Sequence, residues 1–279
     1  MIRNILRVCA YLSLLLAVVL LALNVTSFFY LPERHSKTFD TSRDKAGIAL
    51  QSSDDVLAKL SELSQIRGEG DVKRLTEFFA AGVMHYWPSP DALDREILTD
   101  FRENWVTATI ERLELYRLNS GQDINPDYVL RERLNYENIV AKGVGICSQV
   151  ALGVADFVRQ HGVSAYVWGL DGHVVAVVGP LEDSQTYIVD SDYGVYVPLK
   201  PSEIEKDPSL ITPSYLSAGY GLSQIETLID IYGPEGNFEY GTELSWKIVV
   251  LQWAVPIALI FVAIVLFACS RLRRLRSSS

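Results

Sequence analysis

The residues of this chain best suited to chemistry are Cys147, His173 and Asp190, which follow one another at intervals of 26 and 17 positions. Cys147 lies in Gly-Val-Gly-Ile-Cys-Ser-Gln, where a helix is predicted to begin. His173 opens an apolar run that is typical of a strand, and Asp190 closes the next such run. A thiol, an imidazole and a carboxylate placed on a helix and two strands can carry out acyl transfer through a covalent thioester.

The predicted position of the cysteine favours its reactive form. A thiol is a weak nucleophile until it loses its proton, and the free amides and dipole of a helix N-terminus stabilise the thiolate. His173 can take that proton, and a carboxylate on the far ring nitrogen orients the imidazole. We assign that carboxylate to Asp190 and rank Asp192 as the alternative. The first amides of the helix can stabilise an oxyanion, whereas a side-chain donor is left open, with Gln149 the nearest in sequence.

Hydrophobic periodicity predicts the elements that bring these side chains together. The cysteine helix runs from residue 146 or 147 to a left-handed cap at Gly162. Helices come before it and an antiparallel sheet after it, so adjacent strands can set His173 beside Asp190. We therefore predict an α+β domain in which the cysteine helix packs on the sheet. The predicted helices are 54–66, 71–84 with Asp71 as its cap, 91–115 with a strand-like or irregular continuation, 128–141 and 223–232; the predicted strands are 164–169, 173–178, 186–190 and 195–199; loops are predicted at 87–90 and 121–126.

Four short motifs between residues 128 and 200 resemble the transglutaminase-like core of the papain-like cysteine enzymes. They are Gly145-Ile146-Cys147, Gly162-Val163-Ser164-Ala165, Gly172-His173, and Asp190-Ser191-Asp192-Tyr193-Gly194. The resemblance implies a papain/transglutaminase-like core that needs no cofactor, with Cys147 as the nucleophile, His173 as the general base and Asp190 as the orienting carboxylate. Ser148 stands where many members of that family carry an aromatic residue.

Both ends of the chain predict membrane helices. Residues 8–30 and 248–270 are each 23 residues long without a charge, which is enough to cross a bilayer. Arginines precede the first span and follow the second, so the positive-inside rule predicts cytoplasmic termini and a periplasmic or extracellular middle segment. A cleaved signal peptide is the alternative for the first span. The expected parts are an anchor (1–30), a helical stalk and N-terminal part (31–127), the core with a C-terminal extension (128–245), and a second membrane helix with a basic tail (246–279).

Charge and cysteine usage narrow the classes of function. Residues 31–245 hold 18 basic and 34 acidic side chains, which argues against nucleic acid as a partner. Cys147 is the only cysteine between the two predicted spans, so it has no disulfide partner in a segment expected to be oxidising. The plain alternative is a buried, inert cysteine.

We therefore predict a membrane-anchored thiol enzyme that attacks an amide or peptide carbonyl and passes the acyl group to water or an amine. Its substrate would be a peptide or protein. The alternative is a catalytically silent binding module in an envelope or polysaccharide-export assembly, with envelope proteins as partners. A redox role for Cys147 ranks last, because the segment lacks a resolving cysteine.

The other three histidines are given structural interpretations. His161 is expected at a helix end, His35 in the stalk, and His85 in a core or surface aromatic cluster, although His85 could line a cleft. With four histidines and no pair of cysteines, no metal site is predicted.

Overall fold

The computed structural model describes residues 2–32, 48–85, 98–122, 135–240 and 243–276. The predicted stalk residues 33–47, which include His35, and the predicted loop at 87–90 lie outside them. The helices are α1 Ile2–Ser27, α2 Ser53–Glu62, α3 Glu69–Gly82, α4 Trp105–Asn119, α5 Tyr136–Lys142, α6 Cys147–Gln160, α7 Pro201–Ile204, α8 Thr212–Ser217, α9 Leu222–Ile231 and α10 Glu243–Arg276, with a 3-10 helix at Pro208–Ile211. The strands are β1 Met84–His85, β2 Val144–Gly145, β3 Ala165–Gly169, β4 Val174–Val178, β5 Tyr187–Asp190, β6 Val195–Val197 and β7 Phe238–Tyr240.

Contacts divide the chain into two compact units. The first unit comprises Met1–Tyr30, Leu98–Arg131 and Thr242–Ser279, and the second comprises Leu31–Ile97 and Glu132–Gly241. The segment expected to form one part, 31–127, is therefore divided between the two units, because α4 groups with the two long terminal helices.

The first unit contains two helices that are long and apolar enough to cross a membrane. These segments are Asn4–Ser27 and Lys247–Leu272, which confirms the two predicted apolar spans and indicates membrane association. Pro256 lies inside α10 without ending it. Most of the large apolar side chains of both segments point away from the protein, as expected of helices that meet lipid.

A buried amide joins three helices of this first unit. The Asn24 side-chain nitrogen donates to the carbonyl oxygen of Gln252 at 2.7 Å, and the indole nitrogen of Trp105 donates to the Asn24 side-chain oxygen at 2.8 Å. Asn24 is buried, and further along the helices the rings of Tyr11 and Phe267 meet edge to face. Hydrogen bonds between apolar helices are a common means of association in membranes, so Asn24 ties α1 to α10 and α4.

The second unit is built on one five-stranded antiparallel sheet in the order β6-β5-β4-β3-β7. Successive residues of a strand point to opposite faces, and here both faces are covered by helices. The prediction of a mixed fold with an antiparallel sheet is therefore confirmed, and so is the packing of the cysteine helix α6 against it.

The two faces of the sheet have different partners. One face, which we call the cysteine-helix face, packs with α2, α3, α5 and α6 through residues such as Val167, Ala176 and Val189. The opposite face, which we call the tyrosine face, packs with the segment from α7 to α9 through residues such as Val177 and Ile188. The tyrosines that give the second face its name are Tyr215, Tyr220 and Tyr232, with Tyr193 packed against them.

Several predicted boundaries were wrong for identifiable reasons. Helix α2 ends at Glu62, earlier than predicted. The prediction ran too far because Leu63 and Ile66, in the irregular segment after the helix, are also buried and continue its apolar spacing. Asp71 is not a cap: α3 begins at Glu69, and the Asp71 carboxylate accepts from the backbone N–H of Arg67. The predicted helix 91–115 was wrong for residues 98–104, which are not helical, and α4 runs from Trp105 to Asn119. Of the predicted helix 128–141, α5 begins at Tyr136. Residues 91–97 and 128–134 lie outside the described residues.

The strands after the cysteine helix lie close to their predicted positions. Each is one or two residues shorter than predicted, and His173 precedes β4 rather than belonging to it. Gly162 adopts the predicted left-handed conformation, with φ of 76°. The described elements that the sequence analysis did not predict are β1, β2, β7, α7, the 3-10 helix and α8.

Candidate active site

Cys147 is the first residue of α6, as predicted. The chain leaves α5 through Gly143 in the left-handed region at φ 69°, runs through β2 and enters α6. Gln149 folds back, and its side-chain oxygen accepts from the backbone N–H of Ile146 at 3.2 Å. A Cβ at Gly145 would lie 3.2 Å from that same oxygen, so glycine leaves room for the capping contact. The thiol is thus at a helix N-terminus and is partly buried.

His173 is held by a tight turn before β4. The backbone N–H of Leu170 donates to the carbonyl of His173 at 2.8 Å, and Gly172 has φ of 74°. The imidazole is 2% exposed, and its Nε2 lies 3.0 Å from Oδ2 of Asp190. Nδ1 is buried and makes no hydrogen bond to the described residues. This leaves Nδ1 as the ring atom available to exchange a proton with the thiol.

Asp190 ends β5 and is surrounded by hydrogen-bond donors. Its Oδ2 accepts from the hydroxyl of Tyr215 at 2.5 Å as well as from His173, and the hydroxyl of Tyr232 lies 3.4 Å away. The two tyrosine hydroxyls are 3.0 Å apart. A buried carboxylate is costly unless donors satisfy it, so these tyrosines explain how Asp190 tolerates complete burial.

The electrostatic environment favours a charged thiol. Burial by itself raises the pKa of Cys147, but the neighbouring imidazoles of His173 and His85 lower it by more, and the net pKa lies below the ordinary cysteine value. Asp192 acts in the opposite direction and raises the pKa of the thiol.

The same environment favours a charged imidazole. Burial lowers the pKa of His173, but the charge and hydrogen bond of Asp190, followed by the thiol of Cys147, raise it well above the ordinary histidine value. Opposite shifts in two neighbouring groups are the electrostatic pattern of a thiolate–imidazolium pair.

Tyr215 and Tyr232 remain protonated beside this pair. Burial raises the pKa of each phenol well above its ordinary value, and the charge of Asp190 raises both further. Each tyrosine can therefore act as a donor to the carboxylate over the usual working range of pH.

A second histidine also lies beside the thiol. His85 and Asp192 are almost fully buried, and Nε2 of His85 is 3.5 Å from Oδ2 of Asp192. One side-chain ligand atom from each of His85, Cys147 and Asp192 lies within 4.8 Å of the others. Of the two places left open for His85, an aromatic cluster and a cleft, the structure gives a buried position beside Cys147.

These side chains have the ligand types that a divalent cation uses. His85, Cys147 and Asp192 form one group with ligand atoms within 4.8 Å of one another, and His173, Asp190 and Asp192 form another. Sequence spacing could not have indicated either group, because the ligands come from separate elements. The prediction that the site holds no metal stays a prediction.

The remaining candidates can now be compared by geometry. Asp190, rather than Asp192, makes the 3.0 Å contact with His173, in agreement with the predicted ranking. Nδ1 of His161 donates to the backbone carbonyl oxygen of Phe157 at 2.8 Å, and the imidazole packs on the ring of Phe157, so the contacts of His161 are structural.

Sequence reasoning missed two tyrosines of the site and did not connect His85 with the cysteine. Tyr215 and Tyr232 read as ordinary core aromatics, and His85 is 62 positions away from the cysteine. The only local indication of a site was that His85 directly follows the apolar end of the predicted helix 71–84.

The site therefore combines a thiol at a helix N-terminus, a buried imidazole–carboxylate pair next to it, and a second such pair on the same thiol. Comparison of the chain with protein-family models, with curated proteins and with solved structures finds no match.

Proposed function

We propose that this chain is a membrane-anchored thiol enzyme of the transglutaminase-like type, acting on an amide or peptide carbonyl. Cys147 is the nucleophile, His173 the general acid and base, and Asp190 the carboxylate that orients His173. The observation that carries the proposal is the buried contact of 3.0 Å between His173 and Asp190, next to a thiol at the N-terminus of α6.

In the acylation step, the thiolate of Cys147 attacks the carbonyl carbon, a carbon–sulfur bond forms, and the carbonyl electron pair moves onto oxygen. When that intermediate collapses, the carbon–nitrogen bond breaks and the leaving amine takes its proton from the His173 imidazolium. The enzyme then holds a thioester and a neutral imidazole.

In the deacylation step, the neutral imidazole takes a proton from water while the water oxygen attacks the thioester. The carbonyl then re-forms and the carbon–sulfur bond breaks, which releases a carboxylic acid and restores the thiolate beside the imidazolium. An amine in place of water would give transamidation by the same proton movements. Asp190 keeps its charge throughout, and the hydroxyls of Tyr215 and Tyr232 stabilise that charge.

The proposed location follows from the charges that flank the two apolar helices. Arg3 and Arg7 lie at the N-terminal end of the first helix, and four arginines between 271 and 276 lie at the C-terminal end of the second. The positive-inside rule puts both ends in the cytoplasm and the catalytic unit on the outer side of the plasma membrane. Substrates would then be peptides or proteins of the cell envelope.

The test is alkylation of Cys147 in intact cells by a membrane-impermeant thiol reagent over a range of pH. We expect labelling to persist well below the ordinary thiol pKa of about 8.5, because the thiolate is stabilised. His173→Ala should move the labelling midpoint above that value, since burial then acts on the thiol with less opposition. Cys147→Ser gives the background, which includes Cys9 and Cys269.

Slow labelling that His173→Ala does not change would contradict the enzyme proposal and favour a silent binding module. Labelling that requires permeabilised membranes would contradict the proposed orientation alone. Mass spectrometry of the labelled peptide assigns the signal to Cys147 and keeps these two outcomes separate.

A further inference from the structure

The thiol of Cys147 lies between two histidine–carboxylate pairs, and the mechanism above uses only one of them. The second pair is His85 with Asp192, whose facing atoms are 3.5 Å apart. A ring nitrogen of His85 lies within 4.8 Å of Sγ of Cys147. His85 and Asp192 are almost fully buried, and burial of an imidazole and a carboxylate costs free energy unless polar partners compensate for it.

The position of Asp192 is unfavourable for the nucleophile by itself. Its negative charge raises the pKa of the Cys147 thiol and so opposes the thiolate. A buried carboxylate that works against the reactive form of the cysteine is best explained by its effect on another group. Asp192 also has a ligand atom within 4.8 Å of one from His173, which Asp190 already orients. His85 lies 3.5 Å from Asp192 and is therefore the imidazole whose ring this carboxylate can orient.

The backbone fixes His85 to the segment that carries the nucleophile. Strand β1 pairs in parallel with β2, with His85 opposite Gly145, and the N–H of Met84 donates to the carbonyl of Gly143 at 3.0 Å. Gly145 is only two residues before Cys147. The imidazole and the thiol are thus held by the same small ladder, which favours a preorganised geometry.

We propose that His85 is a second catalytic residue, which donates a hydrogen bond to the carbonyl oxygen of the substrate as that oxygen becomes negative, and that Asp192 is a positioning residue for His85. This inference rests on the proposed function. It assigns the side-chain oxyanion donor that the sequence left open, and it gives Gln149 the different task of capping α6.

The separation between sulfur and imidazole suits this role. When the thiolate attacks, the carbonyl oxygen is one carbon away from sulfur and so lies closer to sulfur than 4.8 Å. A donor within 4.8 Å of sulfur can reach that oxygen at the ~2.7–3.1 Å expected of an oxyanion contact. The negative charge then has two sources of stabilisation, the amides at the start of α6 and the ring of His85.

The test compares two reactions of the same thiol in the full-length protein purified in detergent. Iodoacetamide alkylates the thiolate by displacement at carbon without forming an oxyanion. A 4-nitrophenyl ester acylates it: the carbon–sulfur bond forms, 4-nitrophenolate leaves with its electron pair, and an oxyanion forms on the way. Rates are taken from the pH plateau, where the thiol is fully ionised, so that a changed thiol pKa does not affect the comparison.

We expect His85→Ala to slow acylation about 100-fold, as when one oxyanion donor is removed, while alkylation changes only a few-fold. His85→Gln keeps an N–H donor and should recover part of the acylation rate. Asp192→Asn should show a smaller loss in the same reaction. Met84→Ala is the matched control, because it disturbs packing on the same strand and leaves the imidazole in place.

Parallel losses in both reactions, with a similar pattern in Met84→Ala, would overturn the inference and make His85 a structural residue. Unchanged acylation in a folded His85→Ala variant would overturn it as well, while leaving the roles of Cys147 and His173 intact. A wild-type thiol that behaves as an ordinary exposed cysteine in both reactions would overturn the inference together with the proposed function.

Discussion

Both faces of the central sheet are buried, but by different chemistry. The cysteine-helix face is covered by a cluster of aliphatic and aromatic side chains. On the tyrosine face, Asp190 follows the alternation set by Ile188 and meets the hydroxyls of Tyr215 and Tyr232. One face is a conventional apolar core, whereas the other contains a charged group that must be satisfied by partners.

This difference indicates what each face contributes. Apolar packing on the cysteine-helix face stabilises the fold and positions α6, which packs so closely at Gly153 that a Cβ there would lie 3.0 Å from the side chains of Ile139 and Phe79. The tyrosine face is also packed, but it includes a polar network around Asp190, and a buried ion pair is weak evidence for stability by itself. The consistent effect of this network is to hold His173 in one orientation and in its charged form.

The largest expected effect is that of Asp190→Asn on the tyrosine face, compared with a substitution of the neighbouring residue of β5, Val189, on the cysteine-helix face. In Asp190→Asn, the imidazole of His173 loses its charge partner and burial lowers its pKa, so low-pH alkylation of Cys147 should disappear. Removing one member of a buried pair should also lower the free energy of unfolding by about 3–5 kcal/mol. Alkylation profiles and denaturant titration measure the two effects.

Val189→Ala is the control on the opposite face. Loss of two buried methyl groups should cost about 2 kcal/mol of unfolding free energy and leave the alkylation midpoint unchanged. A shift of that midpoint in Val189→Ala as large as in Asp190→Asn would break the division between the faces.

A smaller effect is expected from the tyrosines that contact the carboxylate. Tyr215→Phe removes a 2.5 Å hydrogen bond to a charged group and should cost about 1.5–3 kcal/mol of unfolding free energy. Tyr232→Phe should cost less, about 0.5–1.5 kcal/mol, because its closer contact is the neutral one with Tyr215 at 3.0 Å. Equal losses from the two variants, measured by denaturant titration, would contradict this order.

The smallest effect is the pH dependence that His173 gives to stability, measured in Cys147→Ser so that the thiol does not titrate. The folded pKa of His173 is raised mainly by Asp190, so its contribution is fully present below the unfolded value of about 6.5. It is lost as the pH rises through the folded pKa, with a slope of at most about 1.4 kcal/mol per pH unit. Asp190→Asn in the same background should remove this slope, and an unchanged slope would assign it to another group.

The parts of the site that were predictable from sequence are those set by local patterns. The start of α6, the cap at Gly162 and the antiparallel neighbours β4 and β5 all follow from turn residues and apolar runs within a few positions. The pairing of β4 with β5 brings His173, directly before β4, near Asp190 at the end of β5. The resemblance to a transglutaminase-like core was carried by the same stretch.

The parts that were not predictable depend on contacts between distant positions. Tyr215 and Tyr232 are 25 and 42 positions from Asp190. Tyr215 lies on the short helix α8 and Tyr232 at the end of α9, and the apolar residues of these helices show the same spacing as in any helix that packs on a core. His85 reaches the thiol only because two-residue strands pair in parallel, and strands of that length leave no periodic signal. The sequence alone does not distinguish a tyrosine or histidine that is buried to serve the active site from an aromatic residue that is buried only by packing, because the difference lies in the partners of the side chain.

The most direct test of the central claim is the ultraviolet absorbance of the thiolate, taken as the difference between the wild-type protein and Cys147→Ser during a pH titration. The thiolate–imidazolium pair predicts a thiolate signal that persists well below pH of about 8.5 and that His173→Ala removes from this range. Tyrosine signals cancel in the difference, and the raised pKa values of Tyr215 and Tyr232 keep those phenols protonated. A thiolate that forms only above about pH 8.5 in the wild-type protein, with no response to His173→Ala, would contradict the claim.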